Sequence, residues 1–424
     1  MQHSNYSSHR YQQIALVAFG FLLMLHYGII SICVDSLFLQ HYNGEDLTRV
    51  WLLTALMTLV CVQIYNSYTH RYRIITLLTI SCIVAAIPVI AALFAYRYGI
   101  VGALLFLKAW KDTYIIVLVQ MFWSFASLIF SFDTAKNIYG RLLAVSTAGT
   151  VVGYGFSALL AQHINTLVAA WCCLPMLLVC CPLVWYLRQV AGEKPPVRHV
   201  RRAIHSGFDV VWHSRYLFLL LLVTLAAKTV ITFIDYELNV FMKEVYSNTD
   251  DRTVFTSQIR FYISTLAILL QVVFTPLVRT MGLAVLFFAT PIFMGVSMLL
   301  HVVYPLLSIV MVYVVSKSLD YSLLRLCREL LYVPLSRDEK TRGKACIDVL
   351  IFRLSKGSSS LLLMAILQLQ GQFYLPFVTM AIEVAWLLLA GAIMWRFYAL
   401  QRDKKRGCIV PACKTGVIMA GNNA

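Results

Sequence analysis

Charge is what this sequence has little of. Asp, Glu, Lys and Arg make up 13% of its 424 residues, while 60% are hydrophobic; soluble domains carry about 25% charged residues. Mean hydropathy is +0.77. A soluble chain of this composition would expose large apolar patches, so the membrane class is expected. A Gly-rich phosphate loop, a metal-ligand cluster and a nucleophile motif are also lacking. Nothing therefore argues for an enzyme, a metal or a cofactor. No cleavable signal peptide is visible: the apolar run after the polar N-terminal lead is too long for an h-region and ends without an A-x-A site. No soluble stretch is long enough for an appended domain, the longest being a linker of about 28 residues. That weighs against a non-transporting sensor or scaffold.

What charge there is has a pattern. The formal net charge is +16. Nucleic acid is not the expected partner, because Lys and Arg cluster in short segments between apolar runs, as in chains whose membrane helices they orient. Spans of about 20 apolar residues are expected at 13–39, 48–68, 75–96, 112–132, 140–162, 167–187, 216–241, 258–278, 282–303, 305–331, 345–369 and 374–398. Residues 97–111 read as an interfacial segment, which puts Lys108 and Lys111 outside the membrane. Basic residues then crowd the side of the N-terminus. The expectation is a multi-pass inner-membrane protein with both termini cytoplasmic.

The linker 188–215, with Pro195-Pro196 and a run of His and Arg, divides the spans six and six. The expected fold is thus an all-α membrane protein with about twelve transmembrane helices in two six-helix halves, 1–187 and 216–398, and a cytoplasmic tail 399–424. Two such halves rocking about a midplane site is the major facilitator-like layout. A monomer is expected. The cysteine pairs Cys172-Cys173 and Cys180-Cys181 sit inside one apolar run and read as packing residues. Gly149 and Gly153 form a GxxxG that lets another helix approach closely.

Ionisable residues within spans are costly and usually face the bundle interior. Lys228 and Asp235 are seven apart and share a helical face; Lys317 and Asp320 are three apart and able to pair. With Asp35 and Arg260 these are the candidate substrate-binding residues. Glu237, Asp348, Arg353, Lys356 and Glu383 also fall within spans, and the bland readings are interhelical ion pairs or snorkelling. Basic and acidic residues within the expected spans are nearly equal in number, so composition alone does not predict a polyanionic substrate. The densest run of charge, Arg337–Lys344, must lie outside the hydrocarbon as a turn between two spans. Asp133, Lys136 and Arg141 echo it between spans four and five.

At this turn the chain resembles a known family. RELLYVPL (Arg328, Glu329, Tyr332, Pro334, Leu335), then GKACIDV (Gly343, Lys344, Asp348), then Arg353 and Lys356 is similar to the signature of the ATP/ADP translocases of plastids and intracellular bacteria. FWSFA and AKNIYG, with Phe122, Trp123 and Lys136, agree. The resemblance implies a major facilitator-like carrier that exchanges nucleotides or related phosphorylated metabolites, with proton coupling in some members. It places Lys344, Asp348, Arg353, Lys356, Glu329 and Lys136 in a gating motif on the cytoplasmic side. Two departures stand out. Span one, where the family carries a cluster like R-D-T-K-D, reads Ser31 to Asp35 and keeps only the last acid. Span ten reads Asp320 to Arg325, with both charges reversed.

The expected function is a secondary active transporter that moves a polar organic solute, such as a nucleotide or related anion, by exchange. The alternatives are a proton-coupled exporter of a small molecule, which Asp35, Asp235 and Glu383 would suit, and a non-transporting scaffold.

Overall fold

The computed structural model describes residues 2–68, 72–129, 132–190, 209–335, 352–369 and 371–405, together with Glu339 and Ile347. Helices dominate. In chain order they are α1 (Gln2–His41), α2 (Gly44–Tyr68), α3 (Ile74–Arg97), α4 (Gly102–Ile129), α5 (Phe132–His163), α6 (Thr166–Val190), α7 (Arg215–Val245), α8 (Thr249–Val303), α9 (Pro305–Leu319), α10 (Arg325–Leu331), α11 (Phe352–Gln368) and α12 (Leu375–Lys405). A five-residue π-helical segment, Asp320–Leu324, joins α9 to α10.

Local chemistry sets several of the ends. Glu45 and Asp46 lie in the first turn of α2, where the helix dipole favours negative charge. The Asn248 side chain accepts the Asp250 amide to open α8. Pro305 begins α9 at a position where its missing N–H costs nothing. The 55 residues of α8 would reach about 80 Å, far beyond a hydrocarbon core about 30 Å thick. Gly282, at φ 84°, breaks it into two limbs.

Among the described residues nine segments are long and apolar enough to cross a membrane, two of them, 249–274 and 276–303, within α8. The outward-facing side chains are apolar too: Val272, Leu388 and Trp395 are exposed, which water would penalise and lipid would not. The expected fourth, tenth and eleventh spans fall on α4, on α9 to α10, and on α11; α4 and the segment around Asp320 carry internal charge, and α11 is short. One boundary is corrected. Residues 97–111 are not interfacial: the turn ends at Val101, α4 begins at Gly102, and Lys108 and Lys111 are 3% and 2% exposed inside the bundle. Each lysine is held there by a carboxylate, so the helix can carry both without meeting lipid.

Two apolar cores form. One gathers Leu16, Phe19, Leu78, Leu107, Leu177 and Val184 from α1, α3, α4 and α6. The other gathers Phe233, Phe287, Met298, Trp386 and Phe397 from α7, α8 and α12, and draws in Phe38, Val50 and Trp51 from α1 and α2. The two groups meet where α2 packs on α11 and α5 packs on α8. The α1–α5 contact is close because Gly149 and Gly153 carry no side chain. An added Cβ at Gly153 would stand 2.7 Å from the Leu25 carbonyl oxygen and 3.0 Å from the Gly28 Cα. The helix that the GxxxG admits is α1.

Candidate functional site

A cavity of about 520 Å³ lies between the two cores, within the range usual for small-molecule sites. It reaches from Asp35 toward the end of the bundle at which α1 begins, where Gly20 and Leu23 line it beside Ser146 on α5. At the opposite end polar contacts join the helices. Lys243 donates to the Tyr42 carbonyl at 2.6 Å, Arg252 to the Ser36 carbonyl at 3.1 Å, and the Thr166 amide and hydroxyl both donate to Asp250 at 2.6 Å.

The centre of the cavity is a cluster around Asp35 on α1. Lys108 and Lys111, three apart on one face of α4, each approach its Oδ1 at 2.9 Å. Arg260 on α8 donates to Oδ2 at 2.7 Å and to the Ser31 hydroxyl at 3.1 Å. Lys111 also meets Asp112 at 3.1 Å. Three cations thus share two carboxylates. Lys317 on α9 pairs with Asp235 on α7 at 2.8 Å. Lys356 on α11 has no carboxylate within 4 Å among the described residues; its ammonium stands 4.9 Å from the centre of the Trp51 ring on α2, a cation–π contact. Arg325 also lines the cavity. Aromatic faces are supplied by Trp51, Tyr27, Tyr154, Tyr313 and Tyr321.

Of the six candidate binding residues, Asp35, Arg260, Asp235 and Lys317 line this cavity and Lys228 and Asp320 do not. The expected pairing along α9 is corrected. Lys317 pairs with Asp235, and Asp320 instead accepts Lys228 from α7 at 2.7 Å on both oxygens. Three helical positions after Lys317, Asp320 is turned about 60° around the axis, toward α7, and Tyr321, the next residue, lines the cavity. The Tyr321 carbonyl accepts Gln271 at 3.0 Å.

In the gating motif, Lys356 lines the cavity and Glu329 is exposed on α10. Arg353 and Lys136 lie on α11 and α5, and their side chains fall outside the described residues, as do Lys344 and Asp348 altogether. The expected charge balance is also corrected. Among the described residues, Lys108, Lys111, Arg260, Lys317, Arg325 and Lys356 face only Asp35, Asp112 and Asp235 around the cavity. Two of the six cations are the lysines of KAWKD, which the expected boundaries put outside the membrane, and Glu237, Asp320 and Glu383 do not line the cavity. The two lysines were visible as the one charged break in the apolar run from Val101 to Val119.

An all-helical bundle with a polar, charge-lined cavity between two cores defines a multi-pass membrane transporter. Solved structures share the fold. A bacterial homologue of the iron transporter ferroportin in its inward-facing state has a TM-score of 0.68 at 13% identity, covering 90% of this chain and 98% of that one. The nucleoside transporter NupG gives 0.66 at 9%, covering 93% and 99%. A D-xylose-proton symporter gives 0.63 at 12%, covering 89% and 96%. The chain belongs to the TLC ATP/ADP transporter family, which it matches over residues 108–312 and 299–401. ADP,ATP carrier protein 1 of Chlamydia pneumoniae is 23% identical over 376 residues, covering 73% of this chain and 72% of that carrier. A stretch of 95 residues is 34% identical to the chloroplastic ADP,ATP carrier protein 1 of Arabidopsis thaliana, covering 21% of this chain and 15% of that carrier. Membership in a family of carriers makes the chain a transporter and not an enzyme.

Proposed function

We propose that the protein is an alternating-access exchanger of nucleotides or closely related phosphorylated metabolites. The observation that carries this reading is the basic excess of the cavity, six cations against three acids among the described residues. A neutral or cationic solute gains nothing from such a site. A phosphoanion gains charge-assisted hydrogen bonds that a low dielectric strengthens. Aromatic faces beside the cations suit a nucleobase, which stacks on any of them. The relatives, named as ADP,ATP carriers, point the same way.

In this reading Lys356, Arg325 and the Lys108–Lys111–Arg260 group hold the phosphates. Lys317 and Asp235 fix the cavity wall. Lys228 and Asp320 brace α7 against the π-helical segment behind it. Halves 1–187 and 216–398 rock about the cavity, and Lys344, Asp348, Arg353, Glu329 and Lys136 form the gate on the cytoplasmic side. The protein works as a monomer in the inner membrane with both termini cytoplasmic. The cavity, running toward the start of α1, then faces the cytoplasm.

The test is ligand stabilisation of detergent-solubilised protein, because a ligand that binds the native form raises its melting point. ADP, ATP, GTP and UTP are compared with sugar phosphates, amino acids and siderophores. Nucleotides are expected to give the largest shifts, and labelled ADP is expected to exchange in proteoliposomes. Stabilisation by non-phosphorylated solutes alone would overturn the reading. Transport that ignores internal nucleotide and collapses with the proton gradient would favour the exporter instead.

A further inference from the structure

The two ends of the bundle are tied differently. At the end away from the start of α1, contacts such as Thr166 with Asp250 join α6 to α8 where no solute in the cavity reaches them. Inside the cavity, the ion pair that crosses from α1 to α8 is Arg260 with Asp35, at 2.7 Å, with Ser31 adding a second bond at 3.1 Å. Asp35 therefore does two things at once. It neutralises Lys108 and Lys111 from its own half, and it holds Arg260 from the other. A phosphoanion entering the cavity needs those same three cations.

We infer that Asp35 is the carrier's internal counter-ion: with the cavity empty its carboxylate occupies the place a substrate anion takes, and it ties the halves until that anion displaces it. This deepens the exchange reading above and rests on it. The physical argument is competition. An arginine whose one terminal nitrogen holds a carboxylate and whose other holds a hydroxyl has its charge already neutralised and its two-pronged end engaged, so a second anion competes with Asp35 for it. Substrate binding must therefore loosen the Asp35–Arg260 bridge. Once it is loosened, rocking is opposed by the contacts at the far end and no longer by this bridge; once the substrate leaves, the bridge re-forms and the empty carrier is held again. Such a device makes transport depend on a solute being carried in both directions. The same cluster serves as the substrate's binding site and as the lock.

The experiment uses full-length protein in proteoliposomes with labelled ADP outside and either ADP or buffer inside. Wild-type uptake is expected to be at least tenfold greater with ADP inside. In Asp35→Asn that ratio is expected to fall at least fivefold, because uptake into buffer-filled vesicles rises. The dissociation constant for ADP is expected to stay level or fall, since a competitor has gone. Arg260→Gln removes the arm that crosses between halves together with one phosphate-binding cation, so total uptake is expected to fall, but the ratio should fall as well, and the variant serves if Asp35→Asn does not fold. An unchanged ratio, or a tenfold weaker affinity in Asp35→Asn, overturns the inference and makes Asp35 a scaffold. Failure of wild-type protein to bind or move ADP is a failure of the exchange reading instead. A substrate-free measurement then decides the tether. Thr253→Cys, at a position fully buried against Thr166, is exposed to a membrane-impermeant maleimide with no ligand present. Labelling at least fivefold faster when Arg260→Gln is added supports the tether, and equal labelling sinks it.

Discussion

Lys356 on α11 stands over the Trp51 ring of α2, 4.9 Å from its centre, with no carboxylate within 4 Å among the described residues. It is the cavity lysine whose charge is not already shared with an acid. Lys108, Lys111 and Lys317 all are. Hydrogen bonds to charged groups contribute about 1.5–3 kcal/mol each, roughly 10- to 150-fold in binding. Lys356→Gln is therefore expected to weaken nucleotide affinity by about that factor, and Lys317→Gln by less. Calorimetric titration with ADP, or the concentration dependence of exchange, measures both. Equal losses would mean that the anion does not discriminate between a paired and an unpaired ammonium.

Lys228 and Asp320 are 2.7 Å apart, both largely buried, and off the cavity. Removing one partner of a buried pair costs about 3–5 kcal/mol because a charge is left alone, whereas replacing both by apolar residues is often near neutral. Lys228→Met is expected to lower the melting temperature in detergent by several degrees. Adding Asp320→Leu is expected to recover most of the loss. The concentration of ADP that half-saturates exchange should not move in the double variant. A shift there would bring the pair into the binding site.

How much of this was legible beforehand depends on which physical signal each residue leaves in a sequence. The membrane class and the layout of most spans follow from hydropathy, which is local and additive. The approach of α1 to α5 was signalled by Gly149 and Gly153, because missing side chains are visible without knowing the partner. The pairing of charges was not legible. Spacing put Lys317 beside Asp320 along one helix, but each finds its partner on α7, Lys317 in Asp235 and Asp320 in Lys228, and nothing within one helix announces a partner on another. Lys108 and Lys111 were misplaced for a related reason. A run with two lysines and an aspartate looks like a loop to any rule that counts charge, and it becomes a tolerable span only once Asp35 from another helix is known to face it. With those lysines in the cavity, its basic excess among the described residues grows from one charge to three.

The α1–α5 seam predicts a sharp contrast between neighbouring glycines. A Cβ at Gly153 would meet the Leu25 carbonyl at 2.7 Å, while one at Gly155 meets nothing within 4 Å. Backbone atoms cannot swing aside as a side chain can, so Gly153→Val forces the helices apart. Overpacking of this kind costs about 1–3 kcal/mol or more. Gly153→Val is expected to express poorly and melt several degrees lower. Gly155→Ala is expected to melt at or slightly above the wild-type temperature, since Ala is the better helix former. Thermal denaturation of the two purified variants makes the comparison.

Glu383 on α12 poses the opposite problem, a polar group where none is needed for packing. It is 2% exposed, and neither carboxyl oxygen has a hydrogen-bond partner among the described residues. Its Oε2 lies where a Cβ on Gly295 of α8 would stand 3.2 Å away, so the carboxyl group occupies space that this glycine leaves. A buried polar group without a partner costs about 1–3 kcal/mol. Glu383→Leu, which fills similar volume with apolar atoms, is therefore expected to raise the melting temperature by a few degrees, and Glu383→Gln to change it less, because an amide buried there is just as unsatisfied. Adding Gly295→Ala to the leucine variant should remove the gain, since the new methyl competes for the same space. A fall in melting temperature for Glu383→Leu alone would show that the carboxyl group makes a stabilising contact, and the packing argument for this corner of the bundle would be lost.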